Sequence, residues 1–293
     1  MSDTLRGAGL MVVAMACFAV EDALIKSLTG AIPPAQIIWM LGLGGALAFA
    51  VWLQVTGRGI WSPDYLSPAV LRRSGFEVFG TLCFVSALAL IPLATASAVI
   101  QATPLVVAMG AALFLGATVG WRRWAAIFVG FGGVLMILRP GGDSFDPAVL
   151  LAVGGMLGLA ARDLATRTLP AQITGTHLSL HAFSALVPAG IGLQIVLGAP
   201  FVRPTTADVL TLTICVAVGM AAYLTIVAAT RLGDISVVSS FRYSRMLFAL
   251  LIGVLIFGER PDVATLVGVT IVIASGLYTL IREARLARTA SQA

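Results

Sequence analysis

ISVVSSFRYSRMLFALLIGVLIF, residues 235–257, is an apolar run long enough to cross a bilayer, yet it carries two arginines, Arg242 and Arg245. About 20 apolar residues in a helix span a ~30 Å hydrocarbon core. An arginine at the centre of such a helix costs roughly 2.5–3.5 kcal/mol on insertion scales, so it has to face a bundle interior or a wet cavity. If the run is one helix, Arg245 lies about 15 Å in from Ile235 at ~1.5 Å per residue, near the midplane. Arg242, three residues earlier, then shares its face. Tyr243 points about 100° away, and its hydroxyl is expected to hydrogen-bond a neighbouring helix. The rest of the chain has to supply the scaffold that makes such a position tolerable.

Composition agrees with a membrane scaffold. With 59% hydrophobic and 11% charged residues over 293 positions and a mean hydropathy of +1.02, the chain is too apolar for a soluble domain of this size. The net charge of +5 comes from short basic clusters between apolar runs, not from a basic stripe, which excludes a nucleic-acid partner. Cys17, Cys83 and Cys215 all fall inside apolar runs, where they read as small packing residues with neither disulfide nor metal-ligand spacing. No run matches a P-loop or a dinucleotide fingerprint, so no cofactor and no ATP-driven pump is expected.

Apolar runs bounded by charges, Pro or Gly predict ten spans, at 7–28, 34–55, 73–92, 95–115, 121–138, 148–167, 173–196, 207–230, 235–257 and 262–281. Pro92-Leu93-Ala94 and Gly233-Asp234 leave room only for tight turns, so the spans on either side of each form antiparallel hairpins. With the N-terminus inside, the inner loops and span ends hold eleven basic residues, Arg72 and Arg73 among them, against four outside: Lys26, Arg139, Arg203 and Arg260. That asymmetry predicts cytoplasmic termini. Leu113-Phe114-Leu115-Gly116 is answered by Leu255-Ile256-Phe257-Gly258 about 142 positions on. Cutting at the Gly-rich link 140–147 leaves five spans on each side, and an odd number inverts one half relative to the other. The expected fold is an all-α integral membrane protein of two inverted five-helix repeats, 1–140 and 147–293, around a central cavity.

The segments Ala87-Leu88 through Pro92-Leu93-Ala94 to Pro104, and Phe241-Arg242-Tyr243-Ser244-Arg245 through Phe257-Gly258-Glu259-Arg260-Pro261-Asp262 to Gly268, give the chain its resemblance to the drug/metabolite transporter superfamily. It is most similar to the ten-helix branch built from two EamA-type repeats. The first repeat departs from that pattern, because Gly116 is followed by Ala117 where members commonly carry Gly-Glu. The resemblance implies a secondary active transporter, not an enzyme, in a bacterial inner membrane. It would move small polar metabolites, amino acids (aromatic ones included) first among them, out of the cytoplasm by alternating access. Import or exchange of a vitamin, a nucleoside-like or a cationic compound is the alternative. In another class, a membrane-embedded enzyme on lipid-linked substrates would need a nucleophile, acid/base pair or metal cluster at one depth. The sequence offers only scattered carboxylates and two histidines.

Inverted-repeat transporters bind substrate at the repeat interface near the midplane, so intramembrane polar residues are the candidate site. Arg242 and Arg245 present planar forks suited to a carboxylate. Asp22 and Lys26, four apart, are expected to pair within their own helix. Glu21 is turned about 100° from Asp22, without a local partner and hence toward a cavity. Glu77 lies near the inner end of its span. Asp163 either contacts substrate or neutralises Arg242, and its neighbour Arg162 is not expected to stack on it. His177 and His181, four apart, line a cavity or bond between helices; without further ligands they make no metal site. Gln101, beside the helix-kinking Pro104, completes the set at mid-depth. If transport uses protons, a carboxylate among Glu21, Asp22, Glu77 and Asp163 carries them.

Overall fold

A computed structural model describes residues 3–61, 63–116, 120–140, 145–170, 173–232 and 235–292. The turn at Gly233-Asp234, part of the 140–147 link and Ala117 lie outside them. Ten of its helical segments are long and apolar enough to cross a membrane. The chain runs α1 (Asp3–Leu28), α2 (Pro34–Val55), α3 (Pro68–Leu90), α4 (Leu93–Ile100), α5 (Thr103–Phe114), α6 (Trp121–Leu138), α7 (Val149–Thr166), α8 (Gly175–Val196), α9 (Thr206–Ala229), α10 (Ile235–Ser240), α11 (Ser244–Leu255) and α12 (Val263–Gln292). The third span starts five residues before its expected limit. Ser67 accepts a hydrogen bond from the Val70 amide and Pro68 occupies the first turn, where its missing N–H costs nothing. Likewise Thr205 and Asp208 form a reciprocal capping box at the start of α9.

The fourth and ninth spans are each two helices. α4 and α5 part at Gln101-Ala102, while α10 and α11 are joined through a 3₁₀ turn at Phe241–Tyr243. The single helix expected across 235–257 is thus broken at the arginine-bearing stretch. These breaks stand about 142 positions apart, and the left-handed glycines repeat in the same way: Gly57 with Gly198, and Gly116 with Gly258, all at φ between +60° and +69°.

Packing obeys the same exchange. α1 lies along α9 as α7 lies along α3, while α2 packs on α8 and α6 on α12 across the two halves. Two crossings are close enough to require glycine. A Cβ on Gly158 would meet the Gly80 Cα at 2.6 Å, and Gly133 and Gly268 each bring a backbone oxygen within 2.7 Å of where the other's Cβ would stand. Polar contacts also tie α2 to α8 and the link after it: Trp39 Nε1 donates to Gln194 Oε1 at 2.9 Å, and the Gln36 amide exchanges hydrogen bonds with the Val202 backbone at 2.7 and 2.9 Å.

The principal core is one-sided. Leu28, Ile32, Ile37, Leu88, Ile91 and Leu93 are buried together at the face opposite the termini. At the termini-bearing face the buried clusters are small, one around Met11, Ala229 and Val238 and one around Phe49, Leu53 and Leu180. Val237 and Phe241 of the ninth span are left exposed. Buried side chains thus seal the face opposite the termini more fully than the termini-bearing face.

Candidate functional site

α1 runs along α11, and this packing decides how the central charges pair. Arg245 donates to Asp22 Oδ2 through Nη2 at 2.6 Å and Nε at 3.2 Å, with its guanidinium 5.3 Å from the Phe18 ring centroid. Asp22 therefore belongs to Arg245 and not to Lys26 as the four-residue spacing suggested. Lys26 instead donates to the carbonyls of Ile91 at 2.6 Å and Leu88 at 3.2 Å. Glu21 rests its carboxylate against Gly219 of α9. Among the described residues it forms no ion pair, and Asp22 and Arg245 are the charges acting on it.

A second cluster joins α3 to α7 and α8. Glu77 lies between two arginines. Arg162 Nη1 donates to its Oε1 at 2.9 Å, and Arg73 Nη2 approaches Oε2 at 2.6 Å as an ion contact off the hydrogen-bonding direction. Arg162 also holds Asp163 through Nε at 2.9 Å, so these neighbours do pair, contrary to the expectation from adjacency. A long side chain reaches round its own helix where Cβ direction alone says it cannot. Asp163 is thereby committed to Arg162, and the ion pair with Arg242, one of the two roles expected of it, does not form. Arg73, counted above as a basic anchor at the membrane surface, is 7% exposed and donates to the Leu178 carbonyl at 3.2 Å.

Arg242 lies between the two clusters. Its side chain is exposed, and the charges acting on it are Asp163 and Arg162 of α7 and Arg245 of its own span. Among the described residues α7 does not pack closely on α10 or α11, which leaves Arg242 uncovered on that side. Gln101 meets Arg242 from the other repeat, its Nε2 donating to the Arg242 carbonyl at 3.3 Å. The two helix breaks therefore touch, one supplying a side-chain donor to the irregular backbone of the other, the arrangement membrane proteins use where broken helices line a site.

Three sequence candidates stand apart. Tyr243 is 4% exposed and directed at α12, its hydroxyl set against Gly276 with no hydrogen-bond partner among the described residues, so the expected interhelical bond is absent. His181 pairs with Ser74 Oγ at 2.7 Å, and His177 with Thr174 Oγ1 at 2.7 Å and the Gly59 carbonyl at 2.8 Å. Both rings pack near Tyr65, whose hydroxyl is pushed up by burial and donates to the Ile60 carbonyl. His177 ties α8 to the 56–67 link, and His181 ties α8 to α3 beside Arg73, away from Arg242 and Arg245. No group of three or more metal-ligand side chains occurs among the described residues.

Glu259, given no role by the sequence analysis, and Lys26, expected there to pair with Asp22, proved as well connected as any. Glu259 Oε1 and Oε2 accept from the Leu93 and Ala94 amides at 2.6 and 3.1 Å, and Lys26 Nζ stands 3.7 Å from Oε1. The available signal was a carboxylate in the turn ending the broken ninth span, opposite the Pro92 turn.

The chain is similar to the pseudopaline exporter CntI of Pseudomonas aeruginosa, 28% identical over 275 residues that cover 92% of this chain and 94% of the relative. It is also similar to an S-adenosylmethionine uptake transporter of Rickettsia conorii, 26% identical over 70% of this chain and 69% of the relative. A riboflavin transporter of Rhizobium johnstonii is 29% identical over 73% and 70%. A solved crystal structure shares the fold at a TM-score of 0.65 and 21% identity, covering 96% of this chain and 98% of that one. The EamA-like transporter family matches residues 5–139 and 146–281, and this chain belongs to it: a multi-pass membrane transporter of small molecules, not an enzyme.

Proposed function

We propose that the protein exports small zwitterionic metabolites, amino acids first among them, by alternating access across a bacterial inner membrane, with both termini in the cytoplasm. The observation that carries this reading is the charge left over inside the bundle. Asp22 is taken by Arg245, and Glu77 and Asp163 are taken by Arg73 and Arg162. One guanidinium, Arg242, and one carboxylate, Glu21, are left without an ion pair among the described residues. A substrate carboxylate on Arg242 and its ammonium on Glu21 would neutralise both, with Gln101 supporting the broken backbone beside them and apolar walls receiving the side chain. Arg245, between the two, orders Asp22 and sets the spacing. Cytoplasmic termini are supported by the basic asymmetry of the loops. Export is supported by the relative that matches nearly the whole chain.

Counterflow in proteoliposomes loaded with labelled amino acids tests it. Arg242→Lys keeps the charge and loses the planar fork, so KM for an amino acid should rise about ten- to a hundredfold, the worth of a charge-assisted contact. Glu21→Gln should weaken the zwitterion and leave a des-amino analogue unaffected. Saturable counterflow of S-adenosylmethionine or riboflavin with none of amino acids would overturn the amino-acid reading. Proton coupling through Glu21 is part of the proposal, and retained pH dependence in Glu21→Gln removes it.

A further inference from the structure

We infer that Glu259 and Lys26 are the positioning residues that hold the face opposite the termini shut. Glu259 leaves the turn after the ninth span, where Gly258 at φ +64° lets the chain reverse. Its amide donates to the Gly253 carbonyl at 2.9 Å, and a Cβ at Gly253 would stand 2.5 Å from Oε2, so that glycine makes room for the carboxylate against α11. From there Glu259 crosses to the other repeat and accepts the first two amides of α4, which have no partner within the helix. Lys26 completes the junction by donating to the last carbonyls of α3 while its ammonium neutralises Glu259. Its ammonium also lies 5.6 Å from the Phe257 ring centroid. One carboxylate and one ammonium thus fasten the ends of α1, α3, α4 and α11 at a single point, with Leu28, Ile32, Ile91 and Leu93 sealing it.

The sequence does not repeat this pair at the other face, where α3 and α7 are joined through Glu77, Arg73 and Arg162 instead. About 142 positions away, Ala117 stands where Glu259 would be repeated and Thr168 where Lys26 would be. Thr168 spends its hydroxyl on the Ala165 carbonyl of its own turn. The first-repeat departure from Gly-Glu therefore leaves this junction unrepeated, and the face opposite the termini needs its release to open. This rests on the alternating-access reading above but not on any substrate.

The test is thiol reactivity of the full chain in lipid nanodiscs, with Cys17, Cys83 and Cys215 replaced by Ala and one reporter added: Leu28→Cys in the seal or Phe241→Cys in the more exposed ninth span. A charged maleimide should label the Leu28→Cys reporter slowly and the Phe241→Cys reporter rapidly. In Glu259→Ala the first rate should rise at least about tenfold, as expected for losing two charge-assisted hydrogen bonds, while the second falls. Lys26→Met should do the same, and it decides the matter if Glu259→Ala does not fold. Rates unchanged within about twofold overturn the proposal. So does acceleration of both reporters together, because a merely structural role loosens the whole bundle. Since labelling needs no substrate, failure of the amino-acid reading would leave this result standing.

Discussion

Between Leu93 and Phe114 the fourth span makes two short helices parted at Gln101-Ala102, and the ninth span does the same around Phe241–Tyr243. Their surroundings differ: 67% of the fourth span's apolar window is buried, against 28% of the ninth's. Local backbone is thus shared by the two repeats, whereas burial reflects the neighbours each span packs against. The sealed span starts beneath Glu259 and breaks at a neutral glutamine. The open span breaks at two arginines, one tied to α1 and one left uncovered on its α7 side. Two copies of one supersecondary unit have become, in a single conformation, a buried wall and a more exposed, arginine-bearing surface.

Breaking the charge pair of the open span should have the largest effect. Arg245→Ala leaves Asp22 buried without its partner, and removing one member of a buried ion pair costs about 3–5 kcal/mol. Thermal unfolding in detergent should show that loss, and Asp22→Asn combined with Arg245→Gln should recover most of it because no uncompensated charge remains. If Arg245→Ala melts like the parent, the pair is not what anchors the open span to α1.

Uncoupling the two breaks should cost less. Gln101→Ala removes one donor to the Arg242 carbonyl, a net loss of about 0.5–1.5 kcal/mol. The same variant should raise KM for the transported substrate more than it lowers the maximal rate, since it loosens the backbone that carries Arg242. Equal changes in both quantities would mean that the Gln101 contact matters only for folding.

The smallest effect belongs to the sealed face, where Arg139 at the end of α6 pairs with Asp262 before α12. Hydrogen bonds from Thr265, then Arg139, pull the Asp262 carboxyl down from 3.8 to about 2. A depressed carboxylate contributes stability above its ordinary value and loses it as pH falls through the depressed one. Asp262→Asn should therefore melt slightly below the parent from pH 5 to 8, with the difference closing between about pH 4 and 2. As an exposed pair it is worth less than about 1 kcal/mol.

The ten spans and the inverted halves were legible because a bilayer punishes polar backbone so severely that length and hydropathy suffice. Composition alone decided the membrane class, and the 142-residue echo in Leu113–Gly116 and Leu255–Gly258 disclosed the repeat. Arg242, Arg245, Glu21 and Gln101 could be singled out because a charge or amide inside an apolar run has few uses there.

What the sequence could not give was pairing. Asp22 with Lys26 and Asp163 with Arg242 were reasonable by spacing and depth, yet Asp22 went to Arg245, Lys26 to the α3 carbonyls and Asp163 to its own neighbour. Spacing along one helix reports which side chains share a face. It says nothing of which foreign helix lies against that face, and here only the packing of α1 on α11 and of α3 on α7 decided it. The broken ninth span and the Glu259 junction belong to tertiary structure for the same reason: each exists because backbone groups freed in one repeat are satisfied by side chains that arrive from the other.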